Sequence, residues 1–98
     1  MDRDAIIARL RASEAELRAR GVAHAALFGS RARGDNRPDS DIDIMIDIEP
    51  GSVDDVYACT GLKLFVAGLF DGRVDVIDRE NLKSYIRPAA TADVLYAF

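Results

Sequence analysis

Two aspartates placed two residues apart are the first feature of this sequence that could carry out chemistry. Asp41 and Asp43 open the segment 41–48, in which isoleucine occupies every second position. This alternation predicts a β-strand whose isoleucines share one face, so that both carboxylates leave the other face with Cα atoms about 6.5 Å apart. Asp75 lies between Val74 and Val76 in a second predicted strand. If the two strands pair, Asp75 can join the first two carboxylates.

Three carboxylates at this separation repel one another and raise their own pKa values unless a cation lies among them. Mg²⁺ prefers such hard oxygen ligands, and it is commonly held by one or two carboxylates together with the phosphates of a substrate. The pattern therefore indicates a magnesium site with Asp41, Asp43 and Asp75 as candidate ligands. The alternative is a solvated sheet edge whose acids pair with nearby arginines, because Asp-x-Asp tripeptides are common.

A glycine-containing segment precedes the aspartates and could bind phosphate. Residues 29–34 read Gly-Ser-Arg-Ala-Arg-Gly and follow the mostly apolar run 22–28, which predicts a buried strand. Gly29 lets the backbone approach a ligand, and Ser30 offers a hydroxyl and an N–H group at the start of a short helix. Arg33 adds positive charge, and Arg31 is a second candidate. The spacing is neither that of a Walker loop nor that of a dinucleotide fingerprint.

These segments together resemble a known signature. Gly-Ser at 29–30 and Asp-Ile-Asp at 41–43 are separated by ten residues, as in the Gly-Ser-x10-Asp-x-Asp signature of the nucleotidyltransferase superfamily that includes DNA polymerase beta. Val-Asp-Val-Ile at 74–77 is similar to the later strand that carries the third carboxylate in that superfamily. Three elements in the right order are more specific than one short motif. The resemblance implies a polymerase beta-like nucleotidyltransferase core.

The size of the chain limits which branch of this superfamily it resembles. Polymerases, tRNA-CCA-adding enzymes and aminoglycoside nucleotidyltransferases carry extra domains that hold the acceptor, and 98 residues leave no room for one. The chain is most similar to the minimal nucleotidyltransferases (MNT), which are encoded beside a HEPN-domain partner and act as antitoxins. The resemblance implies that AMP is transferred from ATP to a tyrosine of the HEPN toxin, a ribonuclease that is thereby silenced.

The resemblance also implies roles for individual residues. The three aspartates would hold two Mg²⁺ ions, and Asp75 would in addition take the proton of the attacking hydroxyl as a general base. Gly29 and Ser30 would hold the β- and γ-phosphates, so that pyrophosphate is the leaving group. Arg33 would provide a further phosphate contact.

Two other functions remain open at this stage. The chain could be a non-catalytic antitoxin or binding module that neutralises its partner by complex formation, although a pure binder needs no cluster of repelling carboxylates. Transfer to RNA or a small molecule has less support. With 17 acidic and 13 basic residues the net charge is -4, which argues against general binding of nucleic acid. An apolar surface for a homo- or hetero-oligomer could come from Phe65, Leu69, Leu95, Tyr96 and Phe98.

The order of helical and strand patterns along the whole chain predicts one α/β domain over residues 1–98, with a small mixed sheet flanked by helices. A single cysteine and the lack of a long apolar segment favour a cytoplasmic protein that does not enter a membrane. The predicted elements are a helix from Asp2 or Asp4 to Gly21, a strand over 22–28, a strand over 41–48, a helix over about 53–69 that is capped by Ser52 with Asp55, a strand over 73–77, a short helix from Asp78 or Asn81 that is interrupted by Pro88, and a strand or docked tail over 94–98. The strand order does not follow from the sequence.

Overall fold

The computed structural model of the protein describes residues 2–34, 41–52, 55–78 and 94–98. These residues form an α/β fold, as the sequence predicts. In chain order the elements are α1 (Arg3–Ala12), α2 (Glu14–Ala19), β1 (Val22–Phe28), α3 (Ser30–Arg33), β2 (Ile42–Ile48), α4 (Val56–Ala67), β3 (Val74–Asp78) and β4 (Leu95–Tyr96).

The described strands form one mixed sheet in the order β3-β2-β1-β4. β1 pairs antiparallel with both β2 and β4, whereas β2 pairs in parallel with β3. The parallel pair requires a crossover between its strands, and α4 is the helix that lies in this connection. The prediction of a small mixed sheet is therefore confirmed, and the C-terminal segment is a short edge strand.

All four described helices contribute to a core on one face of the sheet. The alternating isoleucines of β2 point into this core, and Ile44 and Ile46 are fully buried there. The helices contribute buried apolar residues from the opposite side: Ile6, Leu10, Leu17, Ala32, Leu62 and Val66. The other face of the sheet carries a smaller buried cluster around Ala26 and Met45. The residues that alternate with the β2 isoleucines, including Asp43, lie on this second face.

The N-terminal helix begins as predicted but is divided. The side chain of Asp2 caps α1 by accepting a hydrogen bond of 2.8 Å from the backbone N–H of Ala5. The prediction of one continuous helix is wrong, because Ser13 leaves helical geometry between α1 and α2. Serine has a lower helix propensity than the alanine, leucine and arginine residues that surround it, and the Ser13 side chain makes no capping hydrogen bond to α2. Gly21, with φ of 99°, follows α2 in the left-handed conformation typical of a residue after a helix.

The other boundaries differ by a few residues. α4 begins at Val56 and is capped by Asp55, whose side chain accepts a 2.7 Å hydrogen bond from the N–H of Ala58. The expected capping by Ser52 with a start at residue 53 is therefore wrong. β3 runs from 74 to 78 and not from 73 to 77. The short helix predicted after residue 78 lies outside the described residues. No helix in the described part of the chain has the length and apolar character needed to cross a membrane.

Candidate functional site

Two of the predicted carboxylates face each other across neighbouring strands. In the parallel register of β2 and β3, Asp43 is directly opposite Asp75. Both residues lie on the sheet face away from the main core, because their neighbours Ile42, Ile44 and Val76 pack into that core. Asp43 is half-buried, whereas Asp75 is exposed. The pairing of the two strands, which is needed to bring Asp75 beside Asp43, is thus present.

The turn at Gly29 closes the site on the other side of β2. Gly29 follows Phe28, the β1 residue that pairs with Asp43, and has φ of 78°. A Cβ atom at residue 29 would be 2.5 Å from Oδ2 and 3.3 Å from Cγ of Asp43. Only glycine combines this backbone conformation with such a close approach to the carboxylate. The glycine and the second aspartate of the sequence signature are therefore parts of one packed unit.

The surroundings of Asp43 raise the pKa of its carboxyl group above the ordinary value of 3.8. Burial is the largest cause, and the negative charges of Asp75 and then Asp41 act in the same direction. The positive charges of Arg31 and Arg33 lower the pKa and offset part of this increase. The other two candidate carboxylates and both arginines thus act on the titration of Asp43.

Asp41 lies one residue before β2 and is exposed. Its Oδ1 is 3.8 Å from Nε of Arg73, and the backbone carbonyl of Arg73 accepts a 3.0 Å hydrogen bond from the N–H of Ile42. This ion pair is weak because both side chains are well solvated. This hydrogen bond holds the first residue of β2 against Arg73, the residue that precedes β3. The two strands therefore start side by side, close to the candidate carboxylates.

The predicted phosphate-binding residues lie in the short helix α3 and in the turn before it. The carbonyl of Gly29 accepts hydrogen bonds of 3.1 Å from the N–H groups of Ala32 and Arg33 and so closes this turn. Ser30 is the first residue of α3, and its side chain lies outside the described part of the structure. Arg33 is exposed at the end of α3.

Arg31 is the residue whose importance the sequence left open. Its side chain is only 9% exposed, although it belongs to a segment of alternating arginines. A buried guanidinium next to Asp43 differs in function from a solvated one, because its charge acts on the carboxylate through a medium of low polarity. The sequence does not distinguish the two arginines, since the packing of α3 against β1 decides which one is buried.

The donor set suits a magnesium ion bound together with phosphates. In the described ranges no three His, Cys, Asp or Glu side chains already converge into a metal cage. Such a cage is not needed, because Mg²⁺ keeps several waters and takes oxygens from a substrate. A half-buried carboxyl group with a raised pKa and two acidic neighbours is a site that gains from a bound cation. The residues therefore fit the ion.

The other acidic residue on this face of β2 lies apart from the site. Asp47 pairs with His24 of β1, four residues along β2 from Asp43. Together with Tyr96 and Phe98 these residues line a separate shallow depression of about 360 Å³. The imidazole of His24 makes an edge-to-face contact with Tyr96, and its Nδ1 is 3.3 Å from the carbonyl oxygen of Phe98. His24 therefore supports the C-terminal strand and lies outside the carboxylate site.

Comparison with known proteins identifies the family of this chain. Residues 10–96 match the family model described as nucleotidyltransferase domain. The chain belongs to the nucleotidyltransferase family. This nucleotidyltransferase is 35% identical over 88 residues to the protein adenylyltransferase MntA of Thermococcus cleftensis, and the alignment covers 89% of this chain and 87% of the relative.

Two solved structures have a similar fold. One, assigned as a minimal nucleotidyltransferase, superposes with a TM-score of 0.77 at 30% identity and covers 97% of this chain and 95% of its own. The other is a complex of the tri-AMPylated Shewanella oneidensis HEPN toxin with an MNT antitoxin. It matches with a TM-score of 0.63 at 19% identity and covers 94% of this nucleotidyltransferase and 71% of the matched chain. The predicted family and fold are thus confirmed, and the chain is an enzyme of this class.

Proposed function

We propose that this nucleotidyltransferase transfers AMP from ATP to a tyrosine hydroxyl of a HEPN-type toxin in the cytoplasm and so acts as its antitoxin. The observation that carries the proposal is the direct opposition of Asp43 and Asp75 on β2 and β3, beside the turn at Gly29. The name of the Thermococcus relative supports a protein acceptor. The AMPylated toxin in the Shewanella complex supports the HEPN partner and the AMP group.

The three carboxylates, Asp41, Asp43 and Asp75, would hold two Mg²⁺ ions. When bound, Mg²⁺ neutralises charge on the transferred phosphate and orients the attacking and leaving oxygens. Asp75 is the exposed member on β3, so an acceptor hydroxyl arriving from solvent meets it directly. Asp75 takes the proton of this hydroxyl while the tyrosine oxygen forms a bond to the α-phosphorus. The bond from this phosphorus to the bridging oxygen breaks, and pyrophosphate leaves.

The turn and α3 bind the triphosphate on the opposite side. The backbone at Gly29 and Ser30 donates N–H groups to the β- and γ-phosphates, because the first residues of a helix have no partners within the helix. Arg33 is exposed and contributes a further positive charge to the leaving pyrophosphate. Arg31 is buried and acts on Asp43, whose negative charge it stabilises. The two arginines therefore have different functions in the proposed reaction.

The proposal is tested by incubating a HEPN-domain toxin from the same organism as this chain with the enzyme, ATP and Mg²⁺. Intact-mass spectrometry of the partner is expected to show the gain of one or more AMP groups, and peptide mapping is expected to locate them on tyrosine. Omission of Mg²⁺ is the control and should abolish the gain. An unchanged partner mass, together with loss of toxin activity in a stable complex, would replace this proposal with neutralisation by binding alone.

A further inference from the structure

α4 exposes more large apolar side chains than it buries. Leu62 and Val66 are its buried residues, whereas Val56, Tyr57 and Leu64 are 78%, 90% and 67% exposed. Lys63 is the only charged residue among the twelve of this helix. A surface helix of a globular protein normally turns a polar face to solvent. The outer face of α4 therefore has the composition of a surface that another molecule covers.

The exposed residues of α4 border a groove against β3. Tyr57, Gly61 and Leu64 recur at helical spacing and form one stripe, and a Cβ atom at Gly61 would meet nothing within 4 Å. Beside the stripe lies a groove of about 210 Å³ between α4 and β3. The stripe and the groove share Leu64 and together form the α4–β3 surface, which we define by Tyr57, Thr60, Lys63, Leu64, Val74 and Val76.

The α4–β3 surface adjoins the carboxylate site. Val74 and Val76 line the groove and flank Asp75 along the same strand. β3 is an edge strand of the described sheet, so the groove follows the edge at which Asp75 is presented. Because side chains alternate along a strand, Val74 and Val76 face α4 whereas Asp75 leaves the other face of β3, so a molecule in the groove reaches the candidate general base by passing around this edge strand.

The extent of the surface favours the substrate protein over a second copy of this chain. A helix of twelve residues is about 18 Å long, and pairing through α4 alone covers less than the roughly 800 Å² that each partner of a stable interface buries. A protein whose hydroxyl must reach Asp75 covers both the groove and the carboxylate edge, which together form a larger continuous footprint. Lys63, the half-buried charge of the groove, is complementary to a carboxylate on such a partner.

We infer that the α4–β3 surface is the docking site of the substrate protein, which inserts an apolar stripe flanked by a carboxylate. The inference rests on the proposed transfer to a protein acceptor and adds the surface that recognises it. Docking at this surface lowers the entropic cost of bringing the acceptor hydroxyl to the carboxylates, because the partner is already oriented before the reaction. Nucleotide binding, which uses the turn at Gly29, does not depend on this surface.

The test compares two charge insertions in the same helix. Leu64→Glu introduces a carboxylate at the centre of the surface, and Ala58→Glu introduces the same group on an exposed position about 120° away around the helix. Leu64→Glu is expected to lower kcat/KM for the HEPN partner at least tenfold through a raised KM. Binding of AMP-PNP with Mg²⁺ and the thermal midpoint should stay at the wild-type values. Ala58→Glu should leave all of these quantities unchanged.

A direct binding measurement separates this inference from the proposed function. Titration of the partner into the wild type and Leu64→Glu, without ATP, reports docking even if no AMP is transferred. Wild-type affinity or kcat/KM in Leu64→Glu would overturn the inference while leaving the proposed function intact. A wild-type dimer that Leu64→Glu converts to a monomer, with unchanged binding of the partner, would overturn it in favour of a second copy of the chain.

Discussion

The carboxylate of Asp43 occupies the space in which a side chain of residue 29 would begin. The distance of 2.5 Å from Oδ2 to a Cβ atom built on Gly29 means that neither group can be changed independently of the other. The pair joins the end of β1 to the start of β2. The turn proposed to bind phosphate and the carboxylate proposed to bind Mg²⁺ are thereby held in one fixed relation.

Gly29→Ala is expected to displace the Asp43 carboxylate and to reduce AMP transfer by roughly a hundredfold, the cost of a displacement of about 1 Å in a catalytic site. Gly34→Ala is the matched control. Gly34 has a similar φ of 84°, but a Cβ atom there would meet nothing within 4 Å. Both substitutions should cost about 1 kcal/mol or more of stability because of the positive φ. Steady-state kinetics with thermal unfolding checks the prediction, and equal loss of activity in both variants would contradict it.

The charge of Arg31 should be detectable in the titration of Asp43. Because Arg31 lowers the pKa of Asp43, Arg31→Gln is expected to raise this pKa further above its ordinary value. Arg73→Gln is the control, since Arg73 pairs with Asp41 and is not among the causes of the Asp43 shift. The carboxyl carbon of Asp43 can be followed by NMR against pH in metal-free protein. A decrease or no change in Arg31→Gln would exclude the proposed electrostatic function of this arginine.

Asp43 is expected to reduce the stability of the metal-free protein at neutral pH. Its pKa is higher in the folded chain than the ordinary 3.8, so the folded state binds this proton more tightly than the unfolded state. Stability therefore falls as the pH rises through the interval above 3.8 and stays low beyond the folded pKa. Asp43→Asn should raise the urea midpoint at pH 7 and have a smaller effect at pH 3. An equal gain at both pH values would show that the carboxylate charge is not the cause.

The capping residue of α4 provides a test of the fold itself. Removal of the Asp55 side chain in Asp55→Ala leaves the N–H of Ala58 without its acceptor and should cost about 1 kcal/mol of stability. Ser52→Ala should have an effect within about 0.5 kcal/mol, as expected of a surface substitution. Urea unfolding of both variants measures the difference. A larger loss of stability in Ser52→Ala than in Asp55→Ala would contradict this assignment and support the earlier helix start predicted from the sequence.

The sequence was sufficient to predict the elements around the site because their patterns are strongly periodic. The isoleucines of β2 specify which face is buried, so the outward position of Asp43 follows from alternation alone. The run 22–28 coincides with β1 because a glycine ends it at the position where the chain must turn. These local signals need no knowledge of the rest of the chain.

Other features depended on packing between distant residues. The strand order places β3 next to β2, and nothing in the segments themselves specifies that neighbour. The burial of Arg31 against the exposure of Arg33 arises in the same way, from how α3 lies on β1. The break at Ser13 and the cap at Asp55 could not be located from the sequence for a related reason. Several residues in each region have side chains suited to a helix end, and only tertiary contacts select one of them.

The most direct test of the account is the rate of AMP transfer in Asp43→Asn, Asp75→Asn and the double variant, measured in single turnovers with ATP, Mg²⁺ and the HEPN partner. Residues that act as one unit lose most of the rate together, so each single variant should be slower by on the order of a thousandfold and the double variant no slower than either. Near-wild-type transfer by Asp75→Asn, or losses that multiply in the double variant, would contradict a shared catalytic site formed by the two facing strands.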